Sequence, residues 1–253
     1  MITADDIDIN YIDVMFEITR FCNMECPHCI RGDMQRKRIK KDYINQTLSQ
    51  IENIGTIMFT GGEPGLAKDL IRYTLDACNH YRVDVQNFWM ATNGTVTTPS
   101  FFKIIKDWVE YCDDGDTTGL RVSIDPYHNY INKYPFIDFQ DNLEYNGLNM
   151  YFEFEGAPKN SEYLIGEGRA ADNYYTTRIV EHNLRLVDGH IEGHLYINAK
   201  GYLITTCDIS YERMDNDQDF IVCHVSEDIK EGLAKWFNNH PEFVELEKEM
   251  EFA

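Results

Sequence analysis

The sequence predicts an α/β protein: a partial (β/α)6 TIM barrel followed by a C-terminal extension of a small β-hairpin and a helix. Three observations predict it. Short β-prone runs alternate with longer stretches of helical periodicity up to residue 155. Glycines and small polar residues recur just past those runs, on the side where barrel enzymes gather their chemistry. After residue 190 the pattern changes to a hairpin and then a helix.

Taken in order, Ile12 to Ile18 reads as a buried strand that ends at a cysteine-rich loop. Tyr43 to Ile54 carries apolar residues at helical spacing (Tyr43, Ile44, Leu48, Ile51). Thr56 to Thr60 is a strand, and a helix runs from about Leu66 to His80. Asn87 to Thr92 is a strand, and Pro99 to Tyr111 a helix with proline in its first turn. Gly119 to Asp125 is a strand, Asp138 to Tyr145 a short helical stretch, and Asn149 to Glu155 an alternating strand. A sixth strand falls within 190–198. His194 to Asn198 and Tyr202 to Cys207 flank the hairpin signal Ala199-Lys-Gly201, and a closing helix covers about Lys230 to Lys248.

Strand–helix alternation implies a parallel sheet covered by helices. Six units are too few for a closed eight-stranded barrel. The simplest division is a barrel domain over 1–190 and an extension over 191–253.

The 253 residues are 43% hydrophobic and 26% charged, as in a globular protein. No apolar run approaches the roughly eighteen residues of a membrane span, and the acidic N-terminus lacks signal-peptide features. No membrane partner and a cytoplasmic location are therefore expected. The net charge of -20 makes duplex nucleic acid a poor partner. A basic run opposes that trend: Arg31, Arg36, Lys37, Arg38, Lys40 and Lys41. It reads either as a solvated loop or as a docking patch for an acidic electron donor, and contact with an anionic substrate also fits it.

Seven scattered cysteines do not suit a disulfide framework in such a chain. Three of them, Cys22, Cys26 and Cys29, have the spacing C-x3-C-x2-C on one loop. Three thiolates can hold three irons of a cubane and leave the fourth iron open to a ligand. The competing reading is a structural zinc site with His28 as the fourth ligand, in a non-catalytic interaction protein.

The cysteine loop resembles the cluster motif of the radical S-adenosylmethionine (SAM) superfamily. Thr60-Gly-Gly-Glu-Pro64, Ala91-Thr-Asn-Gly94, Val122-Ser-Ile-Asp125 and Gly168-Arg-Ala170 resemble further motifs of that family, in the family's order. His28 departs from it, since an aromatic residue is usual there. The resemblance covers roughly residues 12 to 200. It implies the partial barrel, a [4Fe-4S] cluster on Cys22, Cys26 and Cys29, and SAM. It also implies reductive cleavage of SAM to a 5′-deoxyadenosyl radical that abstracts hydrogen from a substrate, with flavodoxin or ferredoxin as electron donor.

The site residues follow. Gly61 and Gly62 leave room for close backbone approach, and with Glu63 and Pro64 they are implied to receive the methionine ammonium. Thr92, Asn93, Ser123 and Asp125 offer polar groups suited to ribose hydroxyls and to the surroundings of the methionine carboxylate; local turn bonding is their alternative. Arg169 is suited to pair with the SAM carboxylate or with a structural acid. His28 is placed along the adenine.

Substrate-facing candidates are Glu17, Glu153, Glu155, Tyr127 and His128. Cys207 ends a segment resembling the start of the cysteine-rich (SPASM/twitch-like) extension of peptide-modifying members. Too few cysteines remain for an auxiliary cluster of the usual kind, so a degenerate extension is expected. The alternatives are Cys207 as a hydrogen donor, or a cluster with an unusual ligand such as His224. The extension favours a peptide substrate; a small metabolite or nucleotide is the other reading.

Overall fold

The computed structural model describes residues 1–115, 118–123, 151–155 (backbone only), 164–174, 176 and 178–245. The expected helix at Asp138 to Tyr145, and the candidates Asp125, Tyr127 and His128, lie outside these residues.

The first strands read outward and inward with period two. β1 (Ile12–Thr19), β2 (Asn53–Gly61) and β3 (Asp84–Thr92) each bury one apolar face. Val14, Phe16, Ile57, Phe59 and Phe88 are fully buried there. The opposite face carries Met15, Met58, Trp89 and Ala91, which line an interior cavity. Helices α1 (Lys41–Leu48), α2 (Lys68–Tyr81) and α3 (Pro99–Tyr111) cover the apolar face. Trp108 of α3 anchors that layer. It stacks on Phe88 with ring centroids 5.4 Å apart and donates its indole N–H to the Ile71 carbonyl at 3.3 Å.

β4 (Gly119–Ser123) and β5 (Tyr151–Glu155) extend the sheet in parallel, and α4 (Gly168–Asn173) follows. β6 (Arg185–Val187) and β7 (His190–Glu192) belong to a small second sheet. β8 (His194–Ile197) and β9 (Tyr202–Ile204) form the expected hairpin. α5 (Tyr211–Asn216), β10 (Ile221–His224), α6 (Ile229–Asn239) and β11 (Val244–Glu245) complete the described elements.

The main sheet has the order β10-β9-β8-β1-β2-β3-β4-β5. The sixth parallel strand is β8, and it pairs with β1 rather than following β5. Several elements differ from the sequence reading at their ends. α1 ends at Leu48, because the chain must turn early enough for Asn53 to register against Asp84. β2 and β3 each begin earlier than expected. α6 stops at Asn239, with Pro241 beyond it, and the chain then pairs as β11 with β6. Asp228 caps the N-terminus of α6, its carboxylate accepting from the Glu231 N–H at 2.9 Å.

His182 packs against Phe220 and Trp236, fastening the chain before β6 to the extension. Its ring stacks on Phe220 (centroids 4.5 Å), and its Nδ1 lies 2.7 Å from the Thr205 hydroxyl. Burial, and then the nearby His240 ring, hold its pKa below the ordinary histidine value. The folded state therefore favours the neutral ring. This contribution to stability is complete above the unfolded pKa of about 6.5 and is lost as pH falls below it towards the lowered folded value. Thermal melts across that range should show a smaller acid-side loss for His182→Phe than for the wild type. Equal losses in both would refute this role.

Candidate functional site: a three-thiol cavity at the strand ends

β1 delivers the chain into the cysteine loop, and its neighbours place the other motifs beside it. A cavity of about 190 Å³ lies at the C-terminal ends of the parallel strands. Cys22, Cys26 and Cys29 line it, together with His28, Gly61, Gly62, Thr92, Asn93, Ser123 and Arg169. Residues from four strand ends and from α4 thus meet the three thiols, none of which is in a disulfide. Cys26 is buried, and Cys22 and Cys29 are half-buried. Burial pushes the Cys22 thiol up to about 11 in the metal-free protein; the Met24 N–H on its sulfur opposes this, and Glu63 adds to it.

The glycines have a reason that the sequence did not disclose. A Cβ on Gly61 would stand 2.0 Å from the Thr19 carbonyl oxygen, and one on Gly62 would stand 2.3 Å from that of Phe21. Both therefore permit the β2 end to cross the start of the cysteine loop. The Gly62 N–H donates to Thr19 O at 2.7 Å and the Glu63 N–H to Phe21 O at 2.9 Å. Gly168, with φ +52°, does the same on the other side: its Cβ would strike the Gly32 nitrogen at 2.3 Å. That close approach lets the Arg169 N–H donate to the Cys29 carbonyl at 2.9 Å.

Glu63 is fully buried and is not among the residues lining the cavity. Its Oε1 accepts from the Gly65 N–H (2.9 Å) and the Thr92 hydroxyl (2.8 Å), and its Oε2 accepts from the Asn93 N–H (2.8 Å). It ties the β2 turn to the β3 end. Pro64 is buried at the first position of the following 3-10 turn. Glu63→Gln puts an amide NH2 among these donors and should cost about 1–3 kcal/mol. A lower melting temperature together with weaker SAM binding is the expected result; unchanged SAM binding would show that the Thr92–Asn93 turn does not depend on this carboxylate.

Arg169 is partly buried. Its Nε is buried and has no hydrogen-bond partner among the described residues, while its guanidinium lies 3.6 Å from Asp33. A buried donor without an acceptor, inside a cavity walled by thiols and small polar groups, fits an anionic ligand such as an amino-acid carboxylate. The residues present therefore fit both groups: three separate thiolates for an incompletely ligated cluster, and convergent polar groups for an amino-acid-bearing nucleoside.

The comparison with known proteins agrees with this geometry. The sequence profile of the radical SAM superfamily matches residues 16–144, just over half of the chain. The chain belongs to the radical SAM superfamily. It is an enzyme whose cofactors are a [4Fe-4S] cluster and SAM. Among curated relatives, the PqqA peptide cyclase of Bradyrhizobium diazoefficiens is 36% identical over 63 residues, a stretch covering 23% of this chain and 17% of that protein. Two solved structures share the fold. One, "Native anSMEcpe with bound AdoMet and Cp18Cys peptide", has a TM-score of 0.60 at 10% identity, covering 91% of this chain and 82% of that one. The other, Streptococcus suis SuiB bound to precursor peptide SuiA, has a TM-score of 0.51 at 11% identity, covering 94% of this chain and 68% of that one.

In this radical SAM protein a second cavity, of about 510 Å³, occupies the sheet's inner face. It shares Thr60 and Ala91 with the thiol-lined cavity. Met15, Met58 and Trp89 give it an apolar wall, and Asp13, Asp208 and Arg121 supply charge. Cys207 lines this second cavity, not the first. Its thiol donates to the Asp208 carboxylate at 3.6 Å, and burial pushes its pKa up to about 11. Glu153 stands opposite Arg121 in the β4–β5 register, and Glu155 opposite Ser123.

Glu17 is half engaged: its Oε1 is buried with no hydrogen-bond partner among the described residues. The residue is fully buried, and its Oε2 accepts from Arg20 Nε (2.9 Å) and the Ala199 N–H (2.7 Å). The basic run is also largely engaged within the molecule. Arg38 pairs with Asp69, Lys37 with Asp215, and Lys40 and Lys41 sit over Tyr43 and Tyr73. The chain offers no described helix long and apolar enough to cross a membrane. Arg20 and Tyr211, which the sequence reading passed over, also line the thiol cavity. An arginine directly before the cysteine run was the only signal for the first, and none marked the second.

Proposed function

We propose that this enzyme abstracts a hydrogen atom from a residue of a peptide held in the larger cavity. When bound, the reduced cluster and SAM supply the methionine and 5′-deoxyadenosyl fragments, the latter as the radical that takes the hydrogen. The observation that carries the reading is the adjacency of the two cavities through Thr60 and Ala91. One cavity has the thiols and polar strand ends for the cofactors. The other has room and an apolar wall for a side chain. The peptide assignment draws on the similarity to the PqqA peptide cyclase and to the two peptide-bound neighbours.

Each chain-borne group has a task in this reading. Cys22, Cys26 and Cys29 hold three irons. Gly61, Gly62 and Pro64 shape the turn that meets the methionine end. Arg169 receives the carboxylate, and Thr92, Asn93, Ser123 and Asp125 serve the ribose and its surroundings. His28 lies against the adenine. Trp89, Met15 and Met58 exclude water from the substrate side, which protects a radical from side reactions. Cys207 keeps its proton at neutral pH and gives a hydrogen atom to the substrate radical, the thiyl left on its sulfur being restored by one electron from the flavodoxin or ferredoxin donor and one proton from solvent; Glu153 is a candidate substrate contact. The region from 191 onwards contributes the sixth strand, β8, and beyond it serves as an extension without a cluster of its own. The enzyme works in the cytoplasm, with flavodoxin or ferredoxin as reductant.

Anaerobic reconstitution tests the core of this. The protein should take up about four irons per chain. Under a strong reductant it should release 5′-deoxyadenosine from SAM. A colourless protein that binds zinc instead, or an iron-loaded protein that leaves SAM intact, would sink the proposal.

A further inference from the structure

Both ends of the cysteine loop are fastened to one distant segment of chain. Arg20, two residues before Cys22, is fully buried. Its guanidinium makes a two-pronged contact with Asp215, with both N···O distances 2.9 Å, and it lies over the Tyr211 ring at 4.6 Å. Lys200 (2.8 Å) and Lys37 (3.8 Å) add their ammonium groups to the same carboxylate. Two residues past Cys29, Arg31 donates to the carbonyls of Cys207 and, at 2.9 Å, Ile209. The Tyr211 N–H returns a bond to the Arg31 carbonyl at 3.1 Å.

A buried bidentate arginine–carboxylate pair fixes direction as well as distance, because the two N–H groups are held in one plane. Losing the Asp215 carboxylate would leave Arg20 with Glu17, on its Nε at 2.9 Å, as its remaining buried counter-charge, and would free the two terminal prongs that tie the loop's first anchor to the distant segment. The three thiols hang between these two anchors. None of them pairs with Asp215, so that carboxylate reaches the metal through the groups it holds, Arg20 foremost.

We propose that segment 207–215 is a clamp that sets the geometry of the cysteine loop, with Asp215 as the positioning residue for the iron–sulfur cluster. This rests on the cluster assignment above. It gives the extension a task independent of any second cluster: it holds the first one.

The test uses the reconstituted full chain. Groups outside the ligand shell commonly change metal affinity by about 10–100-fold. Asp215→Asn should therefore lose cluster absorbance to a chelator about tenfold faster than wild type, and its reduced cluster should give an altered electron paramagnetic resonance spectrum. Asp215→Glu should recover part of both. Lys200→Met, a half-exposed change that leaves the Arg20 pair in place, should accelerate loss by a smaller factor. Glu245→Gln removes the exposed pair with Arg185, on the small second sheet, and should match wild type. Melting of the metal-free proteins separates a general loss of fold from loop geometry. The clamp is overturned if Asp215→Asn and Lys200→Met lose the cluster at the wild-type rate with the wild-type spectrum. A wild type that takes up no iron would instead overturn the cluster assignment and the clamp with it.

Discussion

Replacing Cys26 by alanine is expected to abolish SAM cleavage while leaving the fold in place. The cysteine is buried at the edge of the cavity, and its backbone carbonyl accepts the Cys29 N–H at 3.2 Å, a contact the alanine keeps. The lost atom is the sulfur. Two thiolates cannot replace three on a cubane, so the variant should come out of reconstitution with little iron and no visible cluster band. Its 5′-deoxyadenosine release should sit at the background of protein-free controls, and the melting temperature of the metal-free variant should stay near that of metal-free wild type. A variant that still cleaves SAM at a measurable fraction of the wild-type rate would mean that Cys26 is not a cluster ligand.

Gly61→Ala is expected to act through the fold instead. The residue has φ +139°, and an added Cβ would stand 2.0 Å from the Thr19 carbonyl. That contact is with backbone, so no side chain can swing away. Either the end of β1 or the β2 turn must move, and both carry cofactor-facing groups. The cost should exceed about 3 kcal/mol, which for a chain of this size corresponds to a melting temperature lower by about 6–12 °C. Iron uptake and SAM binding should fall together, since the displaced β1 end leads into Cys22. A variant that melts like wild type would show that the turn relaxes cheaply.

The alternation of β1 to β4 was legible because each strand has one face on the helices and one on the interior, which leaves a period of two in the sequence. The motifs were legible for a related reason: cofactor-facing groups gather at the strand ends, where the apolar pattern stops. Pairing order was not legible. Nothing local in His194–Ile197 says that it lies beside β1, since any edge of the sheet would satisfy its hydrogen bonds. Asp215 and Arg20 are 195 positions apart, and each alone reads as an ordinary surface charge. Glu63 was legible as a motif member, but its hidden task, accepting the donors of the next strand's turn, depends on a contact between two strand ends. The glycine pair reads in the sequence as room for backbone to approach a ligand; both glycines line the thiol cavity, and the side that a Cβ would occupy is filled by the backbone of Thr19 and Phe21, which no local pattern discloses.

The distance between the cysteine loop and its second set of anchors has a consequence for biosynthesis. Arg20 and Asp215 are separated by 195 residues of chain, and β1 gains its β8 neighbour only slightly sooner. At about 5–20 residues per second, the thiols leave the ribosome roughly 10–40 s before the segment that fastens them. During that interval the chain already made can supply only the loop's nearer fastenings, among them the Gly62 and Glu63 N–H groups on Thr19 and Phe21 and later the Arg169 N–H on Cys29. The full set of anchors around the thiols therefore comes together only after residue 215 has been made.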